Sequence, residues 1–355
     1  MGKKIVTRPY HISNWRRLNM ALKVKDIANM LGVSPSTVSL VLNNRPGISE
    51  STRQRIFDKL TELGYSNMIP KATTNYPNLR LVIYKKHGGV VSDTHFFSQV
   101  IEGIDTQTRK SGYNLLINYI SGLDPVEEQL RCFNQSSCDG LILLATEMSP
   151  EDLTPFQTLK IPTVVLDSYF QFVQQDAVVI NNMQGASEAI RHLTEMGHTR
   201  IGYLHSNVYI NNFQERRDGV IQALRGAGLQ LPESFLFSLT PSIDGAYNSM
   251  RRLLSQQPVL PTAFFADNDL IAVGAARALR EAGYVIPNDI SIIGFDDMPV
   301  AEAMNPPLTT IYVPKQRLGM LAVKRLISQI QQETAEFVKI EVGTHLVCRQ
   351  SVRAV

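Results

Sequence analysis

Carboxylates and one amide stand where short apolar runs end. Asp167 closes PTVVLD, Asn268 and Asp269 follow TAFFAD, and Asp296 and Asp297 follow ISIIGF. Side chains of this kind at the carboxyl ends of parallel strands face the crevice where open α/β sheets bind ligands. Together they can accept and donate hydrogen bonds to vicinal hydroxyls, which is the chemistry of a sugar site. Each also has a plainer role, since Asp or Asn at a strand's end often caps the next helix. Asp269 and Asp297 read as caps or inter-lobe struts, and Asn268, Asp296 and Asp167 as ligand contacts.

Catalytic chemistry finds no comparable set. The seven histidines do not gather into a triad, and neither a G-x-S-x-G elbow nor a phosphate-binding glycine loop occurs. An α/β-class enzyme is the remote alternative. Cys132, Cys138 and Cys348 form no CxxC pair and have no histidine at metal-ligand spacing, so no cofactor, metal or disulfide framework is expected. No apolar run approaches the roughly 18 residues of a membrane span, and the N-terminus lacks a signal-peptide core. A reduced, cytoplasmic setting without membrane contact is the expectation.

The elements that must position these groups alternate in a βαβ pattern. RLVIYK, YNLLINY, DGLILLA and PTVVLD read as buried parallel strands, with helices over about 96–110 and 124–134 among them. AVVIN, RIGYLH, SFLFSL, TAFFAD and DISIIGFD repeat the texture, with helices near 184–196, 215–227, 244–255 and 269–282. A helix over 316–332 and the strands VKIEV and THLVCR finish the chain. Two halves of similar content predict two doubly wound lobes.

Ahead of this body lies a different kind of sequence. VKDIANMLGVSPSTVSLVLN, residues 24–43, places Ile27, Ala28 and Leu31 on one helical face, a corner at Gly32, and a second helix capped by Ser34 with Pro35 at its first position. Val38, Val41 and Leu42 turn inward, leaving Ser34, Pro35, Ser36, Thr37, Ser39 and Leu40 near or on the outer face that a helix-turn-helix lays in the major groove. A third helix follows Ser49, carries Ile56, Leu60 and Leu63, and stops at Gly64. Asn43, Arg45, Arg53 and Arg55 complete the proposed DNA contacts, the two last as phosphate partners. Charge agrees: residues 1–80 hold 13 Lys and Arg against 4 Asp and Glu, net +9, while the rest of the chain is −6. A basic terminal module on an acidic body suits binding by counterion release.

The headpiece followed by GYSN, LDSYF, INNMQGA, HLTEMGHTRIGYL, ERRDGVIQAL, ADNDLIAVGAARAL, ISIIGFDD and PPLTTI resembles the LacI/GalR family of bacterial repressors over residues 21–355. The resemblance implies an all-α helix-turn-helix headpiece joined to a two-lobed α/β body similar to periplasmic sugar-binding proteins. It further implies a homodimer on a pseudo-palindromic operator in double-stranded DNA, governed by a small molecule, a sugar, in the cleft. Boundaries follow: a disordered basic leader, 1–20; the headpiece, 21–65; a hinge or linker, 66–78; and the body, 79–355. Its N-lobe spans about 79–180 and 313–341, its C-lobe about 181–312 and 342–355, with crossings near Asn181, Val313 and Val342. Arg216 matches the arginine that in relatives points into the cleft, Asp167, Asn268 and Asp296 match its usual partners, and Phe96 and Phe97 stand where relatives set rings against the ligand. The C-terminus leaves no heptad segment for a tetramer, so a dimer is expected. Some relatives take a phosphorylated carrier protein as co-regulator, the other reading of the body.

Two departures matter. Many relatives carry arginine where this chain has Leu40, which can offer only apolar contact, for example to a thymine methyl. The leucine that wedges into the minor groove in most relatives is replaced by Thr74, with Pro70 inside the would-be hinge helix. A displaced wedge by Met68 or Ile69, or no wedge, follows.

Overall fold

The computed structural model describes residues 24–42, 48–68, 77–91, 95–131, 133, 138–331 and 336–355. Asn43, Arg45, Ile69, Thr74 and the leader lie outside the described residues. The chain divides into two compact units, residues 1–75 and 76–355.

Helices α1 (Val24–Leu31), α2 (Pro35–Leu42) and α3 (Glu50–Glu62) make up the first unit. Gly32, at φ +63°, supplies the left-handed corner between α1 and α2 that a side chain would strain. The Ser34 hydroxyl caps α2 by accepting from Thr37 N–H at 3.0 Å, and Ser49 caps α3 by accepting from Thr52 N–H at 3.3 Å. Ile27, Ala28, Val38, Val41, Ile56 and Leu60 are fully buried, a small shared core that three short helices need because none is long enough to hold by itself.

Two six-stranded sheets form the second unit. The N-lobe sheet contains β1 (Asn78–Lys85), β2 (Asn114–Ser121), β3 (Gly140–Leu144), β4 (Thr163–Leu166), β5 (Asp176–Ile180) and β11 (Lys339–Val342). Their spatial order is β11-β5-β4-β3-β1-β2, and every pairing is parallel. The C-lobe sheet has β6 (Ile201–Ser206), β7 (Leu236–Leu239), β8 (Ala263–Ala266), β9 (Ser291–Asp296), β10 (Thr309–Tyr312) and β12 (His345–Val347), in the order β12-β10-β9-β8-β6-β7. Only β12 runs antiparallel there, against β10. The chain passes between sheets after Ile180, Tyr312 and Val342.

Helices α4 (His95–Lys110) and α12 (Lys315–Ile330) pack together over the N-lobe sheet. A Cβ on Gly103 would stand 2.1 Å from the Gln316 carbonyl oxygen, so this crossing requires glycine. In the C-lobe α7 (Asn182–Glu195) pairs with α8 (Asn211–Gly226), and α9 (Ile243–Leu254) with α10 (Asp269–Glu281). Among the described residues of the helix expected over 124–134, regular helix covers Val126–Leu130 (α5), where Pro125 precedes the first turn and Leu130 is the buried side chain. α8 begins at Asn211, a turn before its expected start, which brings Asn212 and Phe213 to the cleft.

Candidate functional sites

In the headpiece, Ser34, Pro35, Ser36, Ser39 and Leu40 are exposed and Thr37 is half-buried, as the outer face of α2 requires. The Ser34 hydroxyl is committed locally, lying 2.8 Å from both the Ser36 and Thr37 hydroxyls besides capping the helix. Ser36, Ser39 and Leu40 are the exposed side chains that follow on this face. Arg55 is exposed, but its Nη2 donates to the Leu31 carbonyl at 3.3 Å, so it also caps the end of α1. Arg53 is half-buried on the same helix. Met68 packs against the headpiece's own core in a short turn, Ser66–Met68. A methionine so placed is spent on packing, which counts against its use as a displaced wedge.

In the body, the strand ends that carry Asp167, Asn268 and Asp296 meet Arg216 from α8 and Phe96 and Phe97 from α4 at one pocket between the lobes. It spans about 470 Å³ of space, open mouth included. Val90, Thr146 and the two phenylalanines join Asp167 from the N-lobe, and Ile210, Asn212, Phe213 and Met298 join the C-lobe residues. Both Phe96 and Phe97 belong to the buried core, where they meet edge to face at 5.0 Å, and both also line the pocket.

Arg216 is the centre of the C-lobe wall. Its Nε donates to Asn182 Oδ1 at 2.9 Å, Nη2 to Asp296 Oδ1 at 3.2 Å, and Nη1 to the Asp267 carbonyl. The guanidinium also lies 3.7 Å from the centroid of Phe295, a cation–π contact in a site where the arginine is 2% exposed. Every group around it holds it flat and fixed, which pre-organises the face it turns to a ligand. Asn182, with Nδ2 on Asn212 at 3.2 Å and on Glu215 at 2.8 Å, braces it from behind. The sequence reading missed Asn182 and Asn212, which lie in the first turns of α7 and α8, and also Thr146 and Asp267, although both stand at the ends of apolar runs.

Asp167 sits at φ +65°, a strained position for a residue other than glycine or asparagine. Its Oδ2 accepts from the Thr146 hydroxyl at 2.7 Å, while its buried Oδ1 has no hydrogen-bond partner. Burial pushes its pKa up to about 7, against the opposing pull of the Thr146 hydroxyl and the Arg216 charge. Asn268 caps α10, its Oδ1 accepting from Ile271 N–H at 2.9 Å, and lines the pocket as well.

Asp269 and Asp297 are struts, but within the C-lobe rather than between lobes. Asp269 accepts from Met298 N–H at 2.6 Å and from the Thr310 hydroxyl at 2.5 Å, and burial raises its pKa to about 8. Asp297 pairs with Arg349 at 2.7 Å. The inter-lobe ties come from unexpected residues. Lys315, buried at the start of α12, donates to the Asp296 and Asp297 carbonyls, and Asn211 Nδ2 donates to the Tyr169 carbonyl at 2.9 Å. Burial pulls the Lys315 pKa down, with Asp296 and Asp269 resisting.

Glu147 was also unforeseen. Its fully buried carboxylate accepts five backbone N–H groups, from Lys86, His87, Gly88, Val90 and Val91 at 2.9–3.1 Å. Burial alone would raise its pKa, but these backbone donors outweigh it and hold the value below the usual range. One side chain thereby fixes the loop that carries Val90 to the pocket.

A helix-turn-helix unit and a two-lobed α/β body with a polar, aromatic-walled cleft define a ligand-responsive DNA-binding regulator. Residues 23–67 match the family model for bacterial regulatory proteins of the lacI family, and residues 190–352 that for a periplasmic binding protein-like domain. The chain is 32% identical over 336 residues to the HTH-type transcriptional repressor PurR of Mannheimia succiniciproducens, covering 94% of this chain and 99% of that one. It is 33% identical over 334 residues to the ribose operon repressor of Escherichia coli K12, covering 92% and 99%. A LacI family transcriptional regulator from Enterococcus faecalis V583 with bound ribose superposes with a TM-score of 0.64 at 28% identity, over 78% of this chain and 99% of that one. The chain belongs to the lacI family and is a transcriptional repressor, not an enzyme. No helix among the described residues is long and apolar enough to cross a membrane.

Proposed function

We propose that this repressor controls carbohydrate-metabolism genes from the cytoplasm, and that a monosaccharide in the cleft is the inducer that releases it from its operator. The observation that carries the reading is the pocket itself. Fixed donors and acceptors on Arg216, Asp296, Asn268 and Asp167 surround a space walled by Phe96, Phe97 and Phe213. Hydroxyls suit the alternating donors and acceptors, and the apolar faces of a sugar ring suit the phenyl groups. The names of the ribose operon repressor and of the ribose-bound neighbour point the same way.

The active species is a homodimer on a pseudo-palindromic operator. At the unpaired edge of the N-lobe sheet, β2 leaves Leu116, Ile117 and Tyr119 exposed, an apolar edge that a second copy would cover. In each copy Ser36, Ser39 and Leu40 face the major groove, Arg53 and Arg55 the phosphates.

Coupling is tested by calorimetric titration of pentoses, hexoses and purine bases, with and without operator DNA. An inducer must bind more weakly to the operator complex by the factor through which it weakens DNA binding, typically worth about 1–3 kcal/mol. Equal affinities in both titrations sink the allosteric reading, and binding of purines in place of sugars sinks the carbohydrate reading.

A further inference from the structure

The N-lobe holds a second pocket at the end of its sheet opposite the cleft. Where β4 and β5 begin, Leu153, Phe156, Val165 and Phe337 wall a space of about 720 Å³, mouth included, that Gln175 and Gln329 also line. Phe156 is buried, and Phe337 stands 58% exposed at the rim. The amides are the unusual part. Gln175 is 8% exposed, yet both its Nε2 and Oε1 are buried without a hydrogen-bond partner. Gln329 Oε1 is orphaned in the same way, although its Nε2 donates to Asp176. Asp176 is itself held by Arg325 Nε at 2.6 Å and Val338 N–H at 2.8 Å, so Gln329 is pinned with its carbonyl unused. Buried amides are nearly always paired, and three orphaned atoms at one pocket point to a missing partner.

We propose that this pocket is a second small-molecule site, which takes a planar heterocycle carrying a cis-amide edge, the chemistry of a nucleobase such as uracil. The Gln175 carbonyl accepts the ring N–H while its amide N–H donates to the adjacent ring carbonyl, the cyclic pair that two amides form. A further ring N–H serves Gln329 Oε1, and Phe156 and Phe337 supply aromatic contact. β4 is two strands from β1, about 10 Å, and both start at this end, where the chain enters the body before Asn78.

The probes are uracil and 1,3-dimethyluracil, which keeps the ring but has no N–H, added to the full-length protein and followed by thermal shift and calorimetry. Uracil should raise the melting temperature of the wild type and of the cleft variant Asp167→Asn alike, and dimethyluracil should not. Gln175→Leu, which removes two unpaired amide atoms and should melt no lower than wild type, should weaken uracil at least tenfold. Phe337→Ala, at an exposed position that folding does not need, should weaken it severalfold. Equal shifts from both pyrimidines, full uracil binding by Gln175→Leu, loss of binding in Asp167→Asn, or no shift at millimolar uracil would each overturn the proposal.

Discussion

Replacing Asp167 with Asn isolates a cleft group that is both orphaned and titratable near neutral pH. Asparagine is nearly isosteric, tolerates the φ of +65°, and can keep the Thr146 hydrogen bond. A buried carboxyl with its pKa at about 7, against 3.8 in the unfolded chain, binds its proton more tightly when folded. Its favourable contribution is complete below about pH 4 and is lost as pH rises to about 7. By linkage the wild-type group costs the folded body about 2 kcal/mol at pH 5 and about 4 kcal/mol at pH 8, and asparagine removes that cost. The stability gain of the variant should therefore widen by about 2–3 kcal/mol between pH 5 and pH 8, or roughly 3–5 °C in melting temperature for a body of this size. Scanning calorimetry of both proteins at the two pH values reads this directly. An equal difference at both would show that Asp167 is ionised throughout and refute the argument from burial. In the same protein, a ligand hydroxyl donating to Asp167 Oδ1 favours the carboxylate, so effector affinity should rise with pH between 6 and 8 in the wild type and stay flat in Asp167→Asn.

Arg216→Met should cost the body about 3–5 kcal/mol, because it strands Asp296, Asn182 and the Asp267 carbonyl in a buried wall; urea unfolding with the midpoint unmoved would show that the network is idle. Glu147→Ala, which frees five backbone N–H groups, should speed hydrogen exchange over residues 86–91 and weaken effector binding, and protection unchanged there would reject its role as the loop's anchor. In the headpiece, Arg53→Ala with Arg55→Ala should weaken binding to all DNA sequences and flatten the salt dependence, whereas Ser36→Ala or Leu40→Ala should change the preference among operators. Binding isotherms across a salt series decide this, and an unchanged slope removes both arginines from the phosphate contacts.

Local signals carried much of this protein. The glycine corner at Gly32 and the caps at Ser34 and Ser49 are contacts among near neighbours, so α1 to α3 could be read from spacing alone. Buried parallel strands announce themselves as unbroken Val, Ile and Leu runs, and the residues ending them are obliged to face the crevice, which is why Asp167, Asn268 and Asp296 were legible. Arg216, Phe96 and Phe97 were legible only through the family's motifs, since nothing in their own surroundings marks them. Tertiary structure decided the rest. That Arg216 is locked by Asn182, Asp267 and Asp296, that Asp269 braces β10 within one lobe, and that Glu147 collects the amides of a loop some 60 residues away depends on which strands lie side by side. Strand order is set by long-range pairing between segments whose sequences look alike. The protonation of Asp167 depends on burial from every side at once, a property of the assembled cleft that no single stretch of sequence contains.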